Sequence, residues 1–300
     1  MSMSELKPNL YIVGVPKAGT SALANFLAQH PEVSVSKVKE PNFHNADMSL
    51  PRPKSEAEYL GLFSSKQTIK YMCDASILYM YSDTAAKSIF DYEPNAKILI
   101  VLRNPIEAAF SWYCQMRYTG NETLGTFDEA LEVESNRWVG NELPKYGLAA
   151  ECPKVLFYRK IMSYPDQLRK FKDLFPKDQI KIILHDDFLK NSEQIFGEVA
   201  DFLNIDKTFK PEFKVVNPRK ERKNPKFHAF LKKYFAAITK QLLPVRFRLA
   251  LIRKVDNLTT RESSPEKISQ SAKLILQDEY HTSINELEIM LNRDLSTWKG

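Results

Sequence analysis

The eight residues Gly14-Val15-Pro16-Lys17-Ala18-Gly19-Thr20-Ser21 combine two glycines, a lysine and two hydroxyls in one short stretch. Main-chain N–H groups at a helix N-terminus, aided by the helix dipole, hold anions such as phosphate. Gly19 lets the chain turn tightly and approach a ligand closely. Thr20 and Ser21 add hydroxyl donors and are expected to cap the helix. Gly14 and Gly19 have the spacing of the nucleotide loop G-x-x-x-x-G-K-[ST], but Thr20 stands where that loop has its lysine, and Lys17 lies inside the loop instead. The pattern predicts a phosphate-type cradle and argues against ATP hydrolysis.

Such a cradle needs a strand behind it and a helix in front. Leu10–Val15 is a β-branched apolar run that predicts a buried strand, and Ala22–Gln29 places Leu23, Phe26 and Leu27 at helical spacing until His30-Pro31 ends it. Val33–Val38 predicts a second strand. Lys97–Leu102 is continuous and apolar, as central parallel strands are. Pro105 then opens a helix over Ile106–Met116. Tyr164–Leu174 and Ser192–Leu203 predict amphipathic helices, with a strand at Ile180–Leu184 between them. Strands alternating with helices predict an α/β fold: a doubly wound, P-loop-like parallel sheet flanked by helices. Beyond Pro211 the chain turns basic, then amphipathic over Phe227–Leu243, and ends in a helix from Pro265 to about Leu291. One domain over 1–300 is expected, with a core at about 8–215 and a helical C-terminal extension at about 216–300.

Composition limits the classes. The 300 residues are 43% hydrophobic and 27% charged, ordinary for a globular protein. The longest clean apolar run, Ile98–Leu102, is far short of the roughly 20 residues a membrane span needs, and Met1–Pro8 has no apolar signal region. Cys73, Cys114 and Cys152 have no metal-ligand spacing and suit reduced thiols in a cytoplasmic protein. The net charge of +6 is uneven: Lys207–Lys254 carries 15 Lys/Arg against 2 Asp/Glu. That stretch is either a solvated face or a surface for an anionic partner.

The loop resembles the 5′-phosphosulfate loop of the sulfotransferases that use 3′-phosphoadenosine-5′-phosphosulfate (PAPS), whose pattern is P-K-x-G-T-[ST]-x-L. Pro16, Lys17, Ala18, Gly19, Thr20, Ser21, Ala22 and Leu23 fit it at every fixed position. Ile98–Pro105 with Ser111 is similar to the family's 3′-phosphate site, in which an arginine ends a strand and a serine follows eight residues later. Arg103 and Ser111 take those places. Tyr164, Leu168, Phe175 and Pro176 resemble its Y-x₃-L-x₆-FP helix, and Tyr164 is a candidate nucleotide contact. Leu287-Glu288, Arg293–Ser296 and Trp298 resemble its closing LE…GRDLS-x-W pattern, with Asn292 in place of glycine.

The resemblance implies sulfuryl transfer from PAPS, releasing 3′-phosphoadenosine-5′-phosphate (PAP), without a metal. That chemistry needs a base for the acceptor and a cation at the leaving oxygen, and Lys17 suits the second role. Lys39–His44 resembles the K-E-P-x-F-F segment of the bacterial and glycan-modifying branch, whose glutamate is the base, which implies Glu40 here and places Phe43 at the acceptor. His44 replaces the last aromatic and is the second candidate base. Asp74 resembles the family's second acidic position, expected to orient the acceptor or Lys17 or to cap the next segment; Ile77 stands where that motif has proline. Arg219, Lys220 and Arg222 lie where the family closes a loop over the nucleotide, although its glycines are absent. The stripe from Phe227 to Leu242 packs on the sheet, walls the acceptor pocket or touches an anionic membrane surface. The implied acceptor is a hydroxyl, or less favourably an amine, on a carbohydrate, lipid or small molecule, with no nucleic-acid partner. Two competing readings are a P-loop nucleoside or small-molecule kinase and a non-catalytic PAP-binding module.

Overall fold

The computed structural model describes residues 7–64, 68–145, 147–213, 220–222, 260–262 and 267–300. Five strands form one sheet: β1 (Pro8–Gly14), β2 (Val33–Val35), β3 (Tyr71–Asp74), β4 (Lys97–Leu102) and β5 (Ile180–Leu184). Their order is β2-β3-β1-β4-β5, and every neighbouring pair is parallel. Strands covered on both faces need apolar residues on both, and Leu10–Val13 and Ile98–Leu102 are all buried. The expected P-loop-like α/β fold is present. Helices α1 (Thr20–Leu27), α2 (Ala85–Tyr92), α3 (Pro105–Thr119), α4 (Tyr164–Lys172), α5 (His185–Lys190), α6 (Ser192–Leu203) and α7 (Gln270–Leu291) carry the residues that matter below.

The chain leaves β1 towards β2 on one side of the sheet and leaves β4 towards β5 on the other. The two connections therefore diverge at the carboxyl ends of β1 and β4, where open α/β sheets bind ligands. Those ends are level, because Gly14 pairs with Val101. The strand approach explains the first glycine of the loop. Gly14 has φ 140°, and a Cβ there would lie 2.3 Å from Val101 O and 2.7 Å from Val101 N. Gly14→Ala must therefore push β1 and β4 apart. We expect it to cost at least about 3 kcal/mol, read as a lowered urea midpoint at unchanged slope.

Several element bounds differ from expectation by a few residues, and one strand was not expected. β2 stops at Val35 rather than Val38, because Ser36 Oγ accepts from Val38 N (3.3 Å) and donates to Val38 O (2.8 Å), closing a turn. The last helix begins at Gln270 rather than Pro265. β3, with only four residues and an acid at its end, carried no expectation; its Cys73 is buried and unpaired. The stripe at Phe227–Leu242 lies outside the described residues.

By contact the chain divides into two units. The first draws on Met1–Ala109, Arg159–Val216 and Ile275–Gly300 and holds the whole five-stranded sheet. The second draws on Phe110–Tyr158 and Asn217–Leu274. Its core contains a buried ion pair in which Arg137 Nη1 and Nη2 donate to Glu122 at 2.7 and 2.9 Å, with Tyr158 Oη donating to Glu122 at 2.8 Å. Buried charges persist in this way only when paired and hydrogen-bonded. β6 (Lys220–Arg222) and β7 (Thr260–Glu262) form an antiparallel ribbon in the same unit. No helix among the described residues is long and apolar enough to cross a membrane.

Candidate active site

Between β1 and α1 the main chain is held in left-handed conformations at Lys17 (φ 68°) and Gly19 (φ 96°). Gly19 is the N-cap of α1, and no side chain caps the helix. The expected capping by Thr20 and Ser21 is thus corrected. Thr20 is already the first helical residue and is buried, with Ser21 and Ala22 half-buried behind it. A helix start without a side-chain cap leaves its first amides to an anion. Pro16 and Ala18 are buried while Lys17 is exposed, so the loop rests on its neighbours and turns its one cation outward.

A lysine at positive φ costs about 1–3 kcal/mol and persists only where its surroundings enforce it. Arg103, directly after β4, supplies one constraint: its Nη1 donates to Lys17 O at 3.1 Å. Its Nε and Nη2 donate to Glu107 Oε2 at 3.3 and 2.7 Å. In this conformation Arg103 supports the loop with three of its five N–H groups engaged. Tyr164, at the start of α4, is buried, and its hydroxyl donates to Arg103 O at 2.9 Å. Burial raises its phenol well above the ordinary value. Instead of lying open to a nucleotide, Tyr164 fixes the main chain of Arg103 from below.

A second support was not anticipated. His185 opens α5 immediately after β5, and its Nδ1 lies 2.9 Å from Ala18 O. A carbonyl only accepts, so Nδ1 carries the proton and Nε2 the lone pair. Burial, helped by the charge of Arg103, lowers its pKa and favours the neutral ring. A Cβ on Gly19 would lie 3.3 Å from this ring and from Phe188, so the second glycine of the loop also serves close packing. The available signal was a polar residue at the end of a strand on the ligand-binding edge.

Glu40 follows β2 at the same sheet edge. Its φ is 54°, and its side chain is 26% exposed beside Lys39 at 3.4 Å. Asn42, also at positive φ (56°), donates from Nδ2 to Glu40 O at 2.8 Å and so holds that conformation. His44 is different in kind. Its ring is buried among Tyr11, Phe43, Tyr59, Tyr79 and Tyr92, all with centroids within 5.8 Å. Nε2 lies 3.3 Å from Tyr11 Oη and Nδ1 2.9 Å from Ser88 Oγ. Burial pushes its pKa down to about 3, so the ring stays neutral and both its nitrogens are occupied. A base must reach the proton it removes; in this conformation His44 is a packing residue. Phe43 likewise stacks on Tyr59 at 4.1 Å.

Asp74, at the end of β3, is fully buried. Tyr59 Oη and Tyr79 Oη donate to its Oδ2 at 2.7 and 2.8 Å, and Ser76 Oγ donates to its Oδ1 at 2.7 Å. Desolvation raises its pKa to about 6 against those three donors, with the charge of Glu40 adding to the rise. Ser111 is buried on α3. Arg219 lies outside the described residues; Lys220 and Arg222 lie on β6.

The fold is shared with solved proteins. The fold matches a sulfotransferase from Alicyclobacillus acidocaldarius with TM-score 0.72 over 98% of this chain and 100% of that one, at 24% identity. It also matches a mouse sulfotransferase complexed with PAP, with TM-score 0.51 over 94% of this chain and 85% of that one, at 12% identity. In sequence, a bifunctional heparan sulfate N-deacetylase/N-sulfotransferase 1 of Caenorhabditis briggsae is 27% identical over 214 residues, 69% of this chain and 23% of the relative. Carbohydrate sulfotransferase 15 of Rattus norvegicus is 26% identical over 248 residues, 66% of this chain and 44% of the relative. The chain thus spans less than half the length of either curated relative. The family model described as "Sulfotransferase domain" matches residues 7–233, the span that contains the anion loop, Glu40 and Arg103, and the chain belongs to that family.

Proposed function

We propose that this chain transfers a sulfuryl group from PAPS to an acceptor hydroxyl or amine, by in-line displacement within a single sulfotransferase domain. One observation carries the reading. Lys17 and Glu40 follow strands at the same edge of one parallel sheet, and both are held at positive φ, 68° and 54°. Strained main chain often gathers at functional sites, and its presence at both positions on this edge supports the reading.

PAPS supplies an activated sulfuryl group and a charged leaving group. The first amides of α1 take the 5′ side, and Lys17 stabilises charge on the oxygen that bridged to sulfur. Arg103 takes the 3′-phosphate; the resemblance implies Ser111, Arg219, Lys220 and Arg222 as further nucleotide contacts. Glu40 removes the acceptor proton as the new bond to sulfur forms and the bond to the PAP oxygen breaks. His185 and Tyr164 hold the loop and Arg103 in place. The names of the relatives support a carbohydrate acceptor.

Transfer of labelled sulfate from PAPS to a panel of glycans, lipids and small phenols tests this reading, and label on the glycans alone is the expected result. Activity is expected to persist in a chelator, since Lys17 and helix amides meet the charge that a kinase would meet with magnesium. Loss of activity restored by magnesium would favour the kinase reading, and PAP binding without transfer to any acceptor would favour the binding module.

Arg103→Ala is expected to weaken PAP binding by about 1.5–3 kcal/mol, the range for a hydrogen bond to a charged group. Calorimetry with adenosine 5′-phosphate, which lacks the 3′-phosphate, should show a much smaller change. Equal losses for both ligands would mean that Arg103 acts only by supporting Lys17 O.

A further inference from the structure

We infer that Asp74 is a positioning residue for the transfer: through the hydroxyls of Ser76 and Tyr79 its carboxylate fixes the main chain of residues 40–44 and so aims Glu40. The inference rests on Glu40 being the base. It follows from the direction of each hydrogen bond. Ser76 Oγ and Tyr79 Oη each have one proton, and both give it to Asp74, at 2.7 and 2.8 Å. Each hydroxyl then has only lone pairs left to offer. Ser76 Oγ accepts from Asn42 N at 3.1 Å, and Tyr79 Oη accepts from His44 N at 3.2 Å. Asn42 in turn donates from its side chain to Glu40 O at 2.8 Å. Asn42 therefore donates at one end to Glu40 O and at the other to Ser76 Oγ, which donates to Asp74, so the hydrogen bonds link Glu40 O to Asp74 without a gap.

Tyr59 supplies an internal control. Its hydroxyl also donates to Asp74, at 2.7 Å, but no hydrogen bond links it to the main chain of residues 40–44. The raised pKa of Asp74, to which the charge of Glu40 contributes, is consistent with the two carboxylates sensing each other.

The test is a series of variants assayed with PAPS and a competent acceptor. Ser76→Ala removes the acceptor for Asn42 N, and kcat is expected to fall on the order of 10–100-fold with KM for PAPS unchanged, as for a displaced catalytic group. Tyr79→Phe should act in the same direction. Asp74→Asn should do so too, because the new amide donates where the carboxylate accepts. Tyr59→Phe should lower the urea midpoint and leave kcat at the wild-type level. If Ser76 acts through Glu40, Ser76→Ala should cost no further activity in a Glu40→Gln background.

Folded Ser76→Ala and Tyr79→Phe proteins with wild-type kcat, beside an inactive Glu40→Gln, would overturn the inference and leave the base standing. A fully active Glu40→Gln would overturn both. A Tyr59→Phe loss in kcat equal to that of Tyr79→Phe would reduce Asp74 to a core residue and also overturn the inference. Should Asp74→Asn fail to fold, the two hydroxyl deletions still decide the matter.

Discussion

Glu40→Gln is expected to lower turnover by roughly 10²–10⁴, the range for removal of a general base. Glutamine keeps the size of the side chain and one acceptor oxygen, so the loop is not disturbed. Asn42 still holds the carbonyl of residue 40, because that contact is to the main chain. PAP affinity measured by calorimetry should stay unchanged, since the carboxylate acts on the acceptor. His44→Ala is expected to behave differently. It opens a cavity among five aromatic rings and abandons the partners Tyr11 and Ser88, so it should cost stability more than turnover per folded molecule. The reverse ranking, with Glu40→Gln active and folded His44→Ala inactive, would transfer the base to the imidazole.

Lys17→Ala should be the second large effect, lowering kcat by about 10²–10³, as for loss of one donor to a developing oxyanion. The charge on the bridging oxygen is greatest in the transition state, so kcat should fall much further than PAP affinity. Alanine at φ 68° keeps the backbone strain of the lysine. Lys17→Gly therefore serves as a companion: it removes the amine and relieves the strain. If alanine and glycine lose the same activity, the amine is responsible. If glycine retains turnover, the main chain at residue 17 is what matters and the lysine role falls.

Much of this architecture is legible in the residues alone, for identifiable reasons. β4 and β5 have their expected bounds because an unbroken apolar run has one outcome in a covered parallel sheet. The loop between β1 and α1 is legible because its glycines, lysine and hydroxyl residues fall between an apolar strand run and a helical pattern. β3 was not legible: Tyr71–Asp74 is too short for periodicity and ends on an acid whose burial only the fold can satisfy. Residue type also does not tell which side of a side chain faces the ligand. Tyr164, Asp74 and His44 all stand where a motif suggests contact, yet each is buried with its polar atoms committed to the protein. His185 went unnoticed for the opposite reason, since no pattern of spacing ties it to a loop 167 residues earlier.

The fastening of residues 40–44 has a consequence for how the side chains beside it can drift over time. The loop is tied to the rest of the protein at Asn42 N and His44 N, atoms that every residue except proline possesses. The side chains at Val38 and Lys39 are exposed and take no part in that fastening. Val38 can change in size without loosening those two ties, whereas a change at Lys39 also removes the cation 3.4 Å from the Glu40 carboxylate. On the proposed reading of Glu40 as the base, drift of an exposed neighbour such as Val38 leaves the position of that carboxylate to the main-chain ties and not to the drifting side chain.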